Sequence, residues 1–99
     1  MPYRIEYSAE AVNHLRLLTA RQRAMAIGAV DHQLTHQPSV ETRNRKRMRP
    51  NPVAPWELRI GQLRAYYDIV ETPEPTVFIR AIGVKKRNQV VIGGEVMDL

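Results

Sequence analysis

The first residues of the chain show two hydrophobic periods in succession. Apolar and polar side chains alternate over residues 3–7, which predicts a half-buried β-strand. Ser8 follows as a helix N-cap, and Val12, Leu15 and Leu18 recur at three-residue steps, as in the buried stripe of a helix. The chain is therefore predicted to open with a strand and a short helix.

A second helix is predicted by its cap and by its apolar face. Thr19 and Gln22 have the spacing of a capping box, in which each side chain bonds the backbone of the other residue. Pro38 cannot continue a helix and marks the end. The apolar face follows three- and four-residue steps through Ala20, Ala24, Ile27, Val30 and Leu34. Two adjacent antiparallel helices are the simplest arrangement.

The second half of the chain is predicted to form a sheet. The connection over residues 37–55 contains four prolines and is long for so small a domain, which favours a functional loop. Strands are then predicted at 56–60, 63–71, 76–82 and 89–92. This order predicts a single α+β domain over residues 1–99. It has a mostly antiparallel twisted sheet of three to five strands, with both helices packed on one face.

The turn at Gly61 and Gln62 fixes the register of the first hairpin, since a type II′ turn requires glycine at its first position. The predicted pairs are Trp56 with Tyr67, Leu58 with Ala65, Ile60 with Leu63, Glu57 with Tyr66 and Arg59 with Arg64. The apolar pairs should face the helices. The predicted core packs Trp56, Leu58, Ile60, Tyr67 and Ile69 against Val12, Leu15, Ile27, Val30 and Leu34.

The other face of this hairpin places Arg59 directly opposite Arg64. Like charges in such a pair destabilise a sheet. A bound phosphate would compensate, because arginine contacts phosphate through two parallel hydrogen bonds. Two long side chains that diverge into water are the plain alternative. The basic run nearby, over residues 43–49, favours the anion site.

Charge in this chain is local. The 99 residues carry a formal net charge of +5, and the five basic residues of the run at 43–49 alone supply +5. An anionic partner follows: nucleic acid, an anionic membrane or an acidic protein. The sequence has no cysteine, no apolar signal-peptide core and no stretch long enough to span a membrane. A cytoplasmic protein without disulfides is therefore expected.

Histidine spacing offers one weak signal for a metal site. His32 and His36 have the i, i+4 spacing of a zinc-protease helix, but Gln33 stands where the general-base glutamate must be. No third ligand suggests itself, so neither a metal nor another cofactor is predicted. All three histidines of the chain lie in the helical half. Chemistry on the sheet would have to use carboxyl, phenol and basic groups instead.

The order of elements and two segments resemble the RelE/ParE superfamily of bacterial toxins. These segments are APWELRIGQLRAYYDIV at 54–70 and VFIRAIGVKKRN at 77–88. RelE-like members are ribosome-dependent mRNA interferases, which cut mRNA in the ribosomal decoding site and are silenced by a cognate antitoxin. ParE-like members share the fold and inhibit DNA gyrase. The resemblance implies a metal-independent endoribonuclease of the RelE-like branch.

The resemblance also implies roles for individual residues. Arg59, Arg64 and Lys85 match the basic positions that stabilise charge on the phosphate. Residues 89–92 offer neither the tyrosine nor the histidine that the family carries near its C-terminus. Glu57, on the arginine face, is then the candidate to accept the 2′-hydroxyl proton. Tyr66 beside it is the candidate to donate a proton or stack on a base.

The basic run and the end of the last long strand are predicted to bind RNA. The residues are Arg43, Arg45, Lys46, Arg47, Arg49, Lys86 and Arg87. The partners implied are mRNA in the decoding site, ribosomal RNA and an acidic antitoxin, with no membrane. Two alternatives stay open: a ParE-like inhibitor of gyrase that acts by protein binding, and a non-catalytic nucleic-acid-binding domain.

Overall fold

Two helices lie on one face of a seven-stranded sheet in the computed structural model, which describes residues 2–99. The elements are β1 Arg4–Tyr7, α1 Ala9–Arg16, α2 Ala20–Leu34, β2 Arg45–Arg47, β3 Trp56–Ile60, β4 Leu63–Val70, β5 Thr76–Lys86, β6 Gln89–Ile92 and β7 Glu95–Met97. The predicted α+β class, with both helices on a mostly antiparallel sheet, is confirmed.

The long strand β5 organises the sheet. Neighbouring strands run antiparallel in the order β2-β3-β4-β5-β6-β7, and β1 pairs with β5 in parallel. Residues 76–79 of β5 pair with β1, whereas residues 83–86 pair with β6. One strand thus carries both the start of the chain and its last hairpin. The parallel pair is the exception that "mostly antiparallel" allows.

Two of the strands correct the sequence prediction. β2 lies inside the basic run, where the sequence predicts a loop, and it pairs with β3 through residues 45–47. β7 pairs with β6 near the end of the chain. Both are three residues long, too short for an alternating pattern to show. The predicted count of three to five strands is therefore too low.

The predicted register of the first hairpin is confirmed at all five pairs. Gly61 at its turn has φ +58°, a conformation that glycine adopts without steric cost. Trp56, Leu58 and Tyr67 are buried on the helix face, and the Trp56 and Tyr67 rings stack with centroids 5.9 Å apart. Arg59 and Arg64 lie on the other face. Ile60 and Ile69, which the sequence also places in the core, are only partly buried.

The caps of both helices are as predicted, but the buried stripe of α1 is displaced by one residue. The Ser8 hydroxyl accepts a hydrogen bond from the Ala11 amide at 3.0 Å. Ala11 and Leu15 are buried, while Val12 is 36% exposed. Ala11 is small enough to bring the helix close to the sheet. The next residue, Val12, is then turned about 100° away from the core.

The α2 helix shows the same displacement. The capping box of Thr19 and Gln22 is present. Val30 and Leu34 are buried as predicted, but the third buried residue is Ala26. Positions 26, 30 and 34 are spaced four residues apart, so they lie in one row along the helix, and this row faces the sheet. The other three predicted members of the face, Ala20, Ala24 and Ile27, are exposed.

A second, smaller apolar cluster lies on the face opposite the helices. Its buried residues are Ala54, Tyr66, Ala81, Val90 and Ile92. We call residues 48–55 the covering segment, because they cross this face from β2 to β3 and bring Ala54 onto the cluster. The Asn51 side chain holds the segment together: Oδ1 accepts from the Val53 and Ala54 amides, and Nδ2 donates to the Arg49 and Ala54 carbonyls. One end of the sheet face remains open beside it.

Candidate nucleic-acid interface

The open end of the sheet face and the covering segment enclose a cleft of about 600 Å³. Its floor consists of side chains from β3, β4 and β5, and residues 46–52 form one wall. The basic residues that border it are Lys46, Arg47, Arg49, Arg59, Arg64 and Lys85, and the acidic ones are Glu57 and Asp98. Because the Arg47 guanidinium lies against the Trp56 ring on the helix face, five cations face two carboxylates, which makes the cleft electropositive.

Arg59 is partly neutralised from its own strand. Its Nε lies 3.2 Å from Oε1 of Glu57, and the two side chains are 47% and 13% exposed respectively. This ion pair offsets the repulsion between Arg59 and Arg64, which are cross-strand neighbours. Glu57 therefore sits low in the cleft, while the Arg59 guanidinium reaches toward solvent.

Arg64 is oriented by the turn that precedes it. Its Nη1 donates to the Gly61 carbonyl at 2.7 Å and to the Leu63 carbonyl at 2.8 Å. No carboxylate of residues 2–99 forms an ion pair with it. The turn thus fixes one nitrogen of the guanidinium. Its charge is left available to an anion in the cleft.

Lys85 reaches the cleft from the end of β5. Its backbone amide donates to the Gln62 carbonyl at 2.7 Å, which ties this end of β5 to the hairpin turn. Two residues earlier, Gly83 permits close packing, because a Cβ there would lie 2.6 Å from the Val90 side chain and 2.9 Å from that of Ile92. The structure thereby brings Arg59, Arg64 and Lys85 together with Glu57, as the sequence predicts.

Lys86 and Arg87 lie outside the cleft. Lys86 follows Lys85 in the same strand, so its side chain points to the opposite face. Arg87 begins the turn to β6, with φ +59°. Both are exposed. They belong to the rim of the domain.

Successive side chains of β2 point to opposite faces of the sheet, so the basic residues of the run at 43–49 do not all face the cleft. The Arg45 guanidinium is turned to the helix side, where Nη1 donates to the Gln33 carbonyl at 2.7 Å and Nε donates to the Val40 carbonyl at 3.0 Å. The Arg47 guanidinium lies 5.6 Å from the Trp56 ring centroid, in a cation–π contact. These two arginines therefore hold β2 and the preceding loop against the domain.

The remaining members of the run are freer. Lys46 lies opposite Glu57 and borders the cleft, as does Arg49 of the covering segment. Arg43 precedes β2, is exposed and does not border the cleft. Of the five predicted RNA contacts in this run, Lys46 and Arg49 are therefore the best placed to meet a ligand in the cleft.

Tyr66 does not have the exposure that its predicted role requires. Its side chain is fully buried beneath the covering segment, and its hydroxyl has no acceptor in hydrogen-bond geometry within residues 2–99. Burial strongly raises the pKa of Tyr66, and the neighbouring Glu57 raises it further through its negative charge and its hydrogen-bonding proximity to the phenol. The side chain can neither stack on a base nor deliver a proton to the cleft directly. The sequence contains no local sign of the segment that covers it.

Three features of the cleft escape the sequence reasoning: the covering segment as a wall, the role of Asn51 in shaping it, and Asp98 at the border. The residues around Asn51 do indicate a turn, because prolines flank it and because Asn side chains commonly bond the backbone two residues ahead. Within residues 2–99 no group of three or more His, Cys, Asp or Glu side chains is placed to hold a metal ion. No described helix has the length and apolarity to cross a membrane.

The fold combines a strand, a helical hairpin and a mostly antiparallel sheet whose uncovered face carries the basic cleft. A solved structure shares it. The chain is similar to a chain in the crystal structure of the toxin–antitoxin complex RelBE2 from Mycobacterium tuberculosis. The TM-score is 0.69 at 24% sequence identity, over 86% of this chain and 100% of that one. Searches against protein-family models and curated proteins found no match. The predicted resemblance is thus confirmed for the fold.

Proposed function

We propose that this protein is a RelE-like toxin, a metal-independent endoribonuclease that cuts mRNA in the ribosomal decoding site. A cognate antitoxin neutralises it in the cytoplasm. One observation carries the proposal: Arg59, Arg64 and Lys85 meet the carboxylate of Glu57 in a single cleft. That the similar solved chain comes from a toxin–antitoxin complex supports the toxin role.

The reaction needs charge stabilisation and one base. The RNA 2′-oxygen attacks the adjacent phosphorus while Glu57 accepts its proton, and the bond from phosphorus to the 5′-oxygen breaks. The products are a 2′,3′-cyclic phosphate and a 5′-hydroxyl, whose oxygen takes a proton from water. Arg59 and Arg64 stabilise the charge that develops on the phosphate oxygens, and Lys85 supports them. Such stabilisation requires no metal.

The path of the RNA follows from the distribution of the basic residues. Lys46 and Arg49 lie along the wall of the cleft and contact the phosphates next to the cleaved one. Arg43, Lys86 and Arg87 are exposed outside it and face ribosomal RNA. Because basic side chains line both the wall and the floor of the cleft, it suits the phosphate backbone of single-stranded RNA. An acidic segment of the antitoxin would compete for the same surface.

The proposal is tested by inducing the protein in growing bacteria and following protein synthesis and the DNA-damage response separately. An early stop of protein synthesis, with mRNA cut within codons and no DNA-damage response, is the expected result. Arg59→Gln paired with Arg21→Gln provides a matched control, because both remove one exposed arginine and only Arg59 borders the cleft. Equal toxicity of these two variants would contradict a role of the cleft.

A second function has a specific observation in its favour. With Tyr66 buried, the acidic side chains that line the cleft among residues 2–99 are Glu57 and Asp98, and neither is paired with a second acid–base group. A ParE-like inhibitor of DNA gyrase needs a binding surface and no acid–base pair. It would produce a DNA-damage response while mRNA stays intact. A non-catalytic nucleic-acid-binding domain would bind RNA without cutting it.

A further inference from the structure

The hydroxyl of Tyr66 is an anomaly in an otherwise well-satisfied fold. It is fully buried and finds no acceptor in hydrogen-bond geometry within residues 2–99. Burying a hydroxyl without a partner is unfavourable, and a phenylalanine would fill the same space without that cost. A group that costs stability in one conformation commonly serves in another.

The neighbouring group that could accept a hydrogen bond from this hydroxyl is the carboxylate of Glu57. The two residues are directly opposite in the β3–β4 register and lie on the same face of the sheet. Glu57 already affects Tyr66: besides burial, its negative charge and its hydrogen-bonding proximity to the phenol both raise the Tyr66 pKa, although the strict geometry of a hydrogen bond is not met. Tyr66 therefore stays protonated, and toward the Glu57 carboxylate, which can only accept, its hydroxyl acts as a donor.

Glu57 has a partner that a substrate would remove. In the present arrangement Oε1 of Glu57 faces Nε of Arg59 at 3.2 Å. A phosphate in the cleft attracts the exposed Arg59 guanidinium, since it can form two parallel hydrogen bonds with arginine, whereas Glu57 contacts Arg59 through Nε alone. A carboxylate that is mostly buried would then lack a partner, which is costly. The other charged residues around it are Lys46, Arg49, Arg64, Lys85 and Asp98.

We propose that Tyr66 is a positioning residue: its buried hydroxyl donates a hydrogen bond to Glu57 when phosphate binding draws Arg59 away. This inference rests on the proposed cleavage reaction for its purpose. The partner of the Glu57 carboxylate changes from the Arg59 cation to the neutral Tyr66 hydroxyl. The other carboxylate oxygen of Glu57 is then oriented toward the 2′-hydroxyl of the RNA. The hydroxyl of Tyr66 never meets RNA. It acts from beneath the floor of the cleft.

The neighbouring residue supplies a matched control. Tyr67 is equally buried, on the helix face, and its hydroxyl donates to the Pro38 carbonyl at 2.8 Å. Tyr66→Phe should leave the melting temperature unchanged or higher, whereas Tyr67→Phe should lower it. On ribosomes carrying mRNA, Tyr66→Phe should slow single-turnover cleavage about ten- to a hundredfold, the size of a hydrogen bond to a charged group. Tyr67→Phe should cut at the wild-type rate.

The pH dependence separates positioning from a general structural role. Because the hydroxyl favours the charged carboxylate, its removal should move the acid limb of the cleavage profile to higher pH in Tyr66→Phe. The Tyr67→Phe profile should keep its shape. Equal rates and equal profiles for Tyr66→Phe and the wild type would overturn the inference.

A second measurement uses the full chain without RNA, so it decides the inference even if the protein cuts nothing. Arg59→Gln removes the cation from Glu57, as a phosphate would. The NMR resonance of the Tyr66 hydroxyl proton should then move downfield relative to the wild type, with the Tyr67 hydroxyl as an unmoved reference. An unchanged Tyr66 resonance would contradict the switch. Failure of the wild type to cut mRNA would instead contradict the proposed function alone.

Discussion

Two adjacent tyrosines of β4 contrast the two faces of the sheet. Tyr67 faces the helices, stacks on Trp56 and donates its hydroxyl to the Pro38 carbonyl. Tyr66 faces the other way, is equally buried, and has an unsatisfied hydroxyl among residues 2–99. On the same face Arg59 and Arg64 repel each other across the hairpin.

The two faces of the sheet differ in how well their polar and charged groups are paired. The helix face joins apolar burial with paired polar groups, which is how a small domain obtains most of its stability. The cleft face keeps like charges adjacent and leaves a hydroxyl unsatisfied. Both features oppose folding locally, and departures of this kind are characteristic of functional sites. Substitutions on the two faces should therefore fail in different ways.

The largest effect is expected on the helix face. Leu58 is fully buried in the main core. Leu58→Ala should cost about 2–5 kcal/mol of the free energy of unfolding, because it removes apolar contacts and leaves a cavity. Denaturant unfolding measures this change. The matched substitution Val12→Ala, at an exposed helix position, should stay within about 0.5 kcal/mol of wild type. Similar losses for both would mean that this face is not the stabilising one.

Arg64→Ala should produce the reverse pattern. Loss of one oriented cation should raise the transition-state energy for RNA cleavage by about 2.7–4 kcal/mol, or slow it some hundred- to a thousandfold. The unfolding free energy should fall by only about 1 kcal/mol, since Nη1 also bonds two turn carbonyls. Arg64→Lys should recover part of the rate, because an ammonium cannot make the two-point contact. Wild-type cleavage by stably folded Arg64→Ala would remove this residue from the mechanism.

The salt dependence of RNA affinity should distinguish the members of the basic run that contact phosphate from those that do not. Each phosphate contact to single-stranded RNA contributes about 0.7 to the slope of log affinity against log salt. The double variant Lys46→Gln, Arg49→Gln should therefore flatten the slope by about 1.4. Arg45→Gln should leave the slope unchanged and lower stability, since its guanidinium bonds two backbone carbonyls instead. A slope that responds to Arg45 alone would overturn this division.

The smallest effect concerns pH on the helix face. His14 Nδ1 accepts a hydrogen bond from the Ile82 amide at 3.2 Å, and burial lowers the His14 pKa from 6.5, against a smaller opposing effect of Glu10. A lowered folded-state pKa means that the stability contribution is complete above pH 6.5 and is lost as pH falls through the folded value. His14→Asn keeps an acceptor that does not titrate, so its unfolding free energy should depend less on pH below 6.5. Identical pH dependence in both proteins would exclude His14 as the cause.

Local patterns predicted the parts of the fold that depend on neighbouring residues. The Gly61 turn and the alternation around it gave the hairpin register, and with it the common face of Arg59, Arg64 and Glu57. The caps at Ser8 and Thr19 were equally local. Each requires only residues within a few positions of one another, where sequence spacing determines geometry.

The errors arose where distant segments decide the outcome. Nothing near Tyr66 in the sequence indicates that residues 48–55 cross over it. Arg45 does not face the cleft, because its guanidinium donates hydrogen bonds to a carbonyl of the α2 helix and to one of the loop that follows it. The buried stripes of both helices were misplaced by small residues, Ala11 and Ala26, which let the helices approach the sheet. Hydrophobicity alone ranks larger side chains above them.

The parallel pairing of β1 with β5 has a consequence for the order in which the chain can fold. Tyr7 pairs with Ile79, so the first strand finds its partner more than seventy residues later. Until residues 76–79 leave the ribosome, the two helices have no complete sheet on which to bury their apolar rows. Such distant contacts are entropically slow to form. The helical hairpin should therefore gain protection from hydrogen exchange only after β5 is in place, late in folding.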